Sequence, residues 1–162
     1  MHPHPRLRHF AALLALCAAF GAEAAPVAPG QTLAPIALED QHGRALTIDA
    51  ATRLVVFSED KAASDRVTAV LSAEPAGTLE RLGAVVVADI SGMPAMVTRM
   101  FAVPALRRLP FLIGLAHEAA QVEQLPRAAG TTTVLALQDG RVTAVTHARD
   151  EAQLRAALGL AP

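Results

Sequence analysis

Tryptophan and tyrosine are absent from this chain of 162 residues, and cysteine occurs once, at Cys17. One cysteine cannot form an intramolecular disulfide, so a stapled scaffold is excluded. No charge of one sign dominates: 14 Lys and Arg stand against 15 Asp and Glu, a net charge of -1. That balance leaves no basic field for nucleic acid or an anionic membrane. Charged residues are only 18% and apolar ones 52%, which excludes a disordered chain. Much of the apolar content is alanine, 36 residues, so large core side chains are fewer than the percentage suggests. Lysine is nearly missing too: Lys61 stands alone beside thirteen arginines, a bias we read as compositional.

The first 24 residues have the pattern of a secretory signal peptide. Arg6, Arg8 and three histidines form a positive start, and Phe10 to Phe20 is apolar. Ala22-Glu23-Ala24 is a small-x-small cleavage site followed closely by Pro26. The apolar run is too short to span a bilayer, so no membrane span is expected. Leu16 stands where a lipidation signal needs a small residue before Cys17, which argues against a lipoprotein. Residues 25–162 then form a single domain, delivered to the periplasm or secreted. They contain no cysteine, so no thiol chemistry is open to them.

Apolar periodicity along residues 25–162 alternates between strand and helix. Ala25–Gly30 is a Pro/Ala/Gly arm. Ile36–Leu38 and Ala45–Ile48 flank the turn Asp40-Gln41-His42-Gly43, a predicted N-terminal β-hairpin. Leu54–Phe57 is a short apolar run suited to a strand buried on both faces. Asp60 or Ser58 then caps a helix in which Ala63, Val67, Val70 and Leu71 recur at helical spacing. Thr78–Leu82 adds a further turn. Ala84–Ile90 and Phe111–Leu115 are two further strands. Between them a helix starts at Pro94 and is expected to stop before Pro104. Glu118–Leu125 reads as a short helix. Thr133–Leu137 and Val142–Thr146 flank Asp139-Gly140, a strong hairpin signal. Asp150 caps a last helix carrying Ala152, Leu154, Ala157 and Leu158. The predicted class is α/β, a largely parallel but mixed sheet covered on both faces.

Particular residues on this order resemble the thioredoxin-like superfamily, in its peroxiredoxin/TlpA-like branch. The segment Pro29-Gly30-Gln31 with Pro35-Ile36-Ala37-Leu38-Glu39-Asp40-Gln41-His42-Gly43 resembles that branch's opening. Leu54-Val55-Val56-Phe57 resembles the strand leading into its catalytic cysteines. Leu109-Pro110-Phe111-Leu112 and Thr132 to Val142 resemble its closing strand and hairpin. Within the branch the chain is most similar to the YtfJ-like periplasmic proteins in length, leader and lack of a C-x-x-C. The resemblance implies a thioredoxin-like mixed sheet with its catalytic centre removed. Ala62 and Asp65 fall where the two cysteines would stand, Arg66 near a peroxidatic cysteine, and Thr132 at the cis-proline. The implied protein is redox-inactive, without thiol oxidoreductase or peroxidase activity, and acts as a binding or accessory module of the cell envelope.

The candidate binding edge is therefore Glu59, Asp60, Lys61 and Thr132, where free N–H groups open a helix. Its blander reading is a capped helix start with exposed charges. Met93, Met96 and Met100 lie within eight residues on one helical face. They suit Cu(I), a soft metal, but a stripe packing on the sheet with Val97 and Phe101 is the expected role. His42, His117 and His147 have no metal-ligand spacing and read as surface residues. A Ser64–His147–Asp triad lacks a nucleophile elbow, and Arg107-Arg108 reads as solvated surface. Neither G-x-G-x-x-G nor G-x-x-x-x-G-K occurs, so no cofactor is expected. The expected partner is an envelope protein or small ligand of unspecified identity; the copper site and an enzyme of non-thiol chemistry are the alternatives.

Overall fold

The computed structural model describes residues 25–161; the segment 1–24, expected to be a signal peptide, lies outside them. The strands are β1 (Ile36–Asp40), β2 (Ala45–Ile48), β3 (Leu54–Ser58), β4 (Ala84–Asp89), β5 (Ile113–Ala116), β6 (Thr132–Gln138) and β7 (Arg141–Ala148). The helices are α1 (Lys61–Ser72), α2 (Thr78–Leu82), α3 (Ala95–Val97), α4 (Val103–Leu106) and α5 (Glu151–Leu158). A π-helical turn, Thr98–Ala102, joins α3 to α4, and Ala119–Val122 is a single 3-10 turn.

All seven strands form one sheet in the order β2-β1-β5-β4-β3-β6-β7. Only β3, β4 and β5 run parallel to one another; the other pairings are antiparallel. The sheet is mixed as expected, but less parallel than the alternation of strands and helices implies. The reason is that both ends close with hairpins, which must be antiparallel. In the closing hairpin Asp139 (φ 50°) and Gly140 (φ 75°) both take left-handed backbone, as a tight two-residue turn requires.

Strand β3 is buried on both faces, as its unbroken apolar run predicts. Val55 and Phe57 join one core layer, and Val56 joins the other. The second layer is roofed by α1 and α5: Val67, Val70, Leu71, Leu154 and Leu158 are all buried in it. The four residues predicted to form the inner face of α1 are the four that are buried. Among the described residues no long helix covers the first layer. It is covered by Val27 and Leu33 of the N-terminal arm and by Val122 and Leu125 around the 3-10 turn. The arm is held by hydrogen bonds from the Val27 N–H to Gln124 O and from the Leu33 N–H to Gly140 O.

Three expectations fail on local geometry. The helix expected over Glu118–Leu125 shrinks to the 3-10 turn Ala119–Val122, because Pro126 turns the residue before it away from helical backbone. The strand expected over Phe111–Leu115 begins only at Ile113. Buried Gln41 accounts for this: its amide donates to Phe111 O at 2.8 Å and accepts from the Ile113 N–H at 2.9 Å, replacing a ladder partner. The helix expected to stop before Pro104 continues through it. The Val103 N–H reaches back five residues to Thr98 O, and Pro104 then sits in the first turn of α4, where its missing N–H costs nothing. Within β5, Gly114 allows a close crossing, since a Cβ there would stand 2.9 Å from Leu38 Cδ1.

Candidate functional site

The parallel strands β3 and β4 end side by side, and their following loops open a cleft of about 610 Å³. One wall is the start of α1, with Glu59, Asp60, Lys61 and Asp65. The other is the inner side of the α3–α4 segment, with Ala102, Ala105 and Leu106. Asp89 and Ser91 form the floor between them. Ligands of open α/β sheets bind at the carboxyl ends of parallel strands, so the position is the one the topology favours.

Arg127 organises the acidic groups. Its guanidinium donates to Glu59 Oε2 at 3.1 Å and to Asp89 Oδ2 at 2.8 Å, with its Cζ 5.0 Å from the centre of the Phe57 ring. Burial pushes the Asp89 carboxyl up, but the Ser91 hydroxyl and N–H and the Arg127 charge together hold it below its ordinary value. Burial likewise opposes the Arg127 charge, and Asp89 and Glu59 more than compensate, raising its pKa. Asp89 is thus a fixed anion and not a proton donor near neutrality.

Asp60 caps α1: its Oδ1 accepts from the Ala63 N–H at 2.7 Å, and its Oδ2 from the Gly130 N–H at 3.3 Å. The free N–H groups that would draw an anion are partly satisfied by this carboxylate. Lys61 pairs with Asp65 one turn on. Glu59, Asp60 and Lys61, singled out from the sequence, thus line one cleft. Thr132 does not line it. It is fully buried behind α1, where its hydroxyl donates to Ala63 O at 3.3 Å and accepts from Arg66 Nη1 at 3.1 Å. Arg66 also binds Gly130 O, so the position expected near a peroxidatic cysteine ties α1 to β6. Ala62 and Asp65 are exposed on the first two turns of α1, and no cis peptide bond occurs among the described residues.

The methionine stripe contradicts its expected role. Met96 is 71% exposed, Met100 61% and Phe101 66%, while Met93 and Val97 are also exposed. Of Thr98–Ala102 only Thr98 is buried, so the segment packs through a threonine and turns its apolar side chains outward. The three histidines are exposed, as expected. His147 Nδ1 lies 3.0 Å from Thr133 Oγ1, whereas the Ser64 hydroxyl bonds Ser58, so the triad does not assemble. Arg107 is not merely solvated: its Nε donates to Gln41 O at 2.8 Å and anchors the end of α4. Among the described residues, no cluster of three His, Cys, Asp or Glu could hold a metal, and no helix is long and apolar enough to cross a membrane.

Sequence reasoning missed Asp89, Ser91 and Arg127. Asp89 ends an apolar strand, which marks it as a loop-edge carboxylate. Arg127 carries no local signal, because it reaches the cleft from another part of the chain.

No family model and no curated protein matches the chain. Solved structures do. A peroxidoxin BcpB from Mycobacterium tuberculosis superposes with a TM-score of 0.55 at 17% identity, over 81% of this chain and 94% of that one. A thio-disulfide isomerase from Thermus thermophilus gives 0.50 at 19% identity, over 84% of this chain and 100% of that one. A peroxiredoxin-like protein from Aquifex aeolicus gives 0.51 at 13% identity, over 78% and 79%. With its mixed sheet, flanking helices and these neighbours, the chain has the thioredoxin-like fold.

Proposed function

We propose that this chain is an exported, redox-inactive thioredoxin-fold protein that works as a non-catalytic binding or accessory module of the cell envelope. The observation that carries the reading is the cleft at the start of α1. It is open and built, yet no thiol lines it. Residues 25–162 hold no cysteine, Ser58 and Ser64 bond each other, and Asp89 is clamped as an anion. The structural neighbours include a peroxidoxin and a thio-disulfide isomerase, and the resemblance implies Ala62 and Asp65 at that branch's cysteine positions. The Arg-containing start, apolar run and Ala22-Glu23-Ala24 support export.

The cleft suits an apolar group with a cationic or hydrogen-donating end. Leu106, Ala105 and Ile90 supply the apolar side, and Asp60 and Asp65 the acidic lip. The test is affinity capture from the native envelope with the tagged chain beside its Ala105→Arg variant. Ala105 is exposed, so the arginine obstructs the cleft without disturbing the core. A partner or ligand retained by the first and lost from the second is the expected result. Thiol-dependent reduction of insulin disulfides or hydrogen peroxide by the purified chain would overturn the reading.

A further inference from the structure

The α3–α4 segment stands between two different flanks. On one side lies the cleft already described. On the other lies a second hollow of about 470 Å³, lined by Arg99, Arg107 and His117 among others. The crest between them is apolar and open: Met96, Val97, Met100 and Phe101 belong to neither hollow and all face solvent.

The flanks differ in charge. The basic one carries Arg99 and Arg107, and no carboxylate lines it. On the acidic one Arg127 offsets one of the two charges of Glu59 and Asp89 from behind, and Asp60 and Asp65 outnumber Lys61. An apolar crest with an acidic flank and a basic flank is complementary to itself. A two-fold axis running along the crest sets each copy's acidic flank against the other's basic flank. An axis across the crest would set acid against acid. Two-fold pairing through one self-complementary patch is the commonest way soluble chains associate.

We propose that the crest Met96, Val97, Met100 and Phe101 is the interface of a symmetric homodimer, with the two α3–α4 segments side by side and parallel. Methionine, phenylalanine and arginine are the residues enriched in such interfaces, and monomers rarely leave a contiguous apolar ridge uncovered. A Cu(I) site would explain the exposed thioethers of Met96 and Met100, but not the exposed Val97 and Phe101 beside them. It would also place a cation next to Arg99. The proposal stands apart from the ligand of the cleft and does not depend on it.

The test is sedimentation of the product of the full chain, its N-terminus read by mass spectrometry, across about 1 to about 200 μM, with melting temperature followed in parallel. A dimer with a dissociation constant of about 10 μM is expected, weakened by added salt. Met100→Glu and Arg99→Glu should each weaken it at least about tenfold with no change in melting temperature at about 1 μM, where the chain is mostly monomeric and all these side chains are exposed. The double variant Met96→Leu with Met100→Leu keeps the apolar crest and should still dimerise. A chain that stays monomeric throughout overturns the proposal. So does a dimer indifferent to Met100→Glu. A monomer that binds Cu(I) tighter than micromolar, lost in the double leucine variant, overturns it in favour of a metal site.

Discussion

Two helical segments wall the cleft, and they use apolar periodicity in opposite directions. In α1, Ala63, Val67, Val70 and Leu71 face the sheet and are buried. Across Ala95–Leu106, Met96, Val97, Met100 and Phe101 recur at similar intervals and face water. Spacing tells which residues share a face of a helix; it says nothing about where that face points. Direction comes from the attachments. Helix α1 hangs from β3 by the Asp60 cap and is held against α5 by packing and against β6 through Arg66. The other segment leaves β4 through an Asp89–Ser91 turn, passes through a π turn and is tied down by Arg107 at its far end. Only Thr98 pulls its middle inward.

The comparison breaks if the two faces respond alike to truncation. Leu71→Ala should cost about 2–5 kcal/mol by chemical denaturation, as for a buried leucine that leaves a cavity. Met100→Ala should stay within about 0.5 kcal/mol in the monomer, since its side chain is already in water.

A smaller effect belongs to the clamp joining the α1 wall to the floor. Arg127→Ala leaves Glu59 and Asp89 facing each other without their shared cation, and should destabilise the chain by about 1–3 kcal/mol. The pH dependence follows. The folded-state pKa of Asp89 is depressed, so its contribution is present above the unfolded value and is lost as pH falls through the folded one. Asp40 behaves the same way: burial raises it, but the N–H groups of Arg44 and His42 and the Arg44 side chain lower it further. Stability should therefore fall on acidification below about pH 4, and Arg127→Ala should flatten that slope without abolishing it. An unchanged acid profile would show that Arg127 does not set the Asp89 charge.

Smaller again, Asp60→Ala removes the cap of α1 and should cost about 1 kcal/mol, with Asp60→Asn recovering most of it. The smallest effect is at the crest itself. Met96→Leu should change the melting temperature by no more than about 1 °C and leave Cu(I) binding as weak as in the parent. A copper affinity removed by this substitution would reverse the reading of the ridge.

What the sequence made legible was local. The Asp139-Gly140 hairpin, the Asp60 and Asp150 caps and the inner face of α1 each depend on residues within a few positions of one another. So does the early hairpin, where Asp40 Oδ1 accepts from the His42 and Arg44 N–H groups. The illegible parts rest on distant partners. Gln41, in a predicted hairpin turn, is buried by contacts 65 to 72 residues away. Arg127 meets Glu59 68 residues back. The π turn was hidden because Pro104 reads as a helix stop, and only the widened turn removes the clash that makes it one. Half of the candidate site followed from the Ser58–Asp65 segment, which is contiguous; Asp89 and Arg127 did not.

The N-terminal arm has a consequence for the order of assembly. Gly30 and Leu33 bond to Val142 and Gly140, and the Arg141 side chain reaches back 111 residues to Gly30 O. The arm is the first described stretch to leave the ribosome and its clasp is among the last, so the first core layer cannot close until synthesis is nearly complete. Chains built on such distant pairings fold slowly, because the entropy of closing the long loop is lost before any contact rewards it. The growing polypeptide thus keeps this layer open until its closing hairpin has emerged.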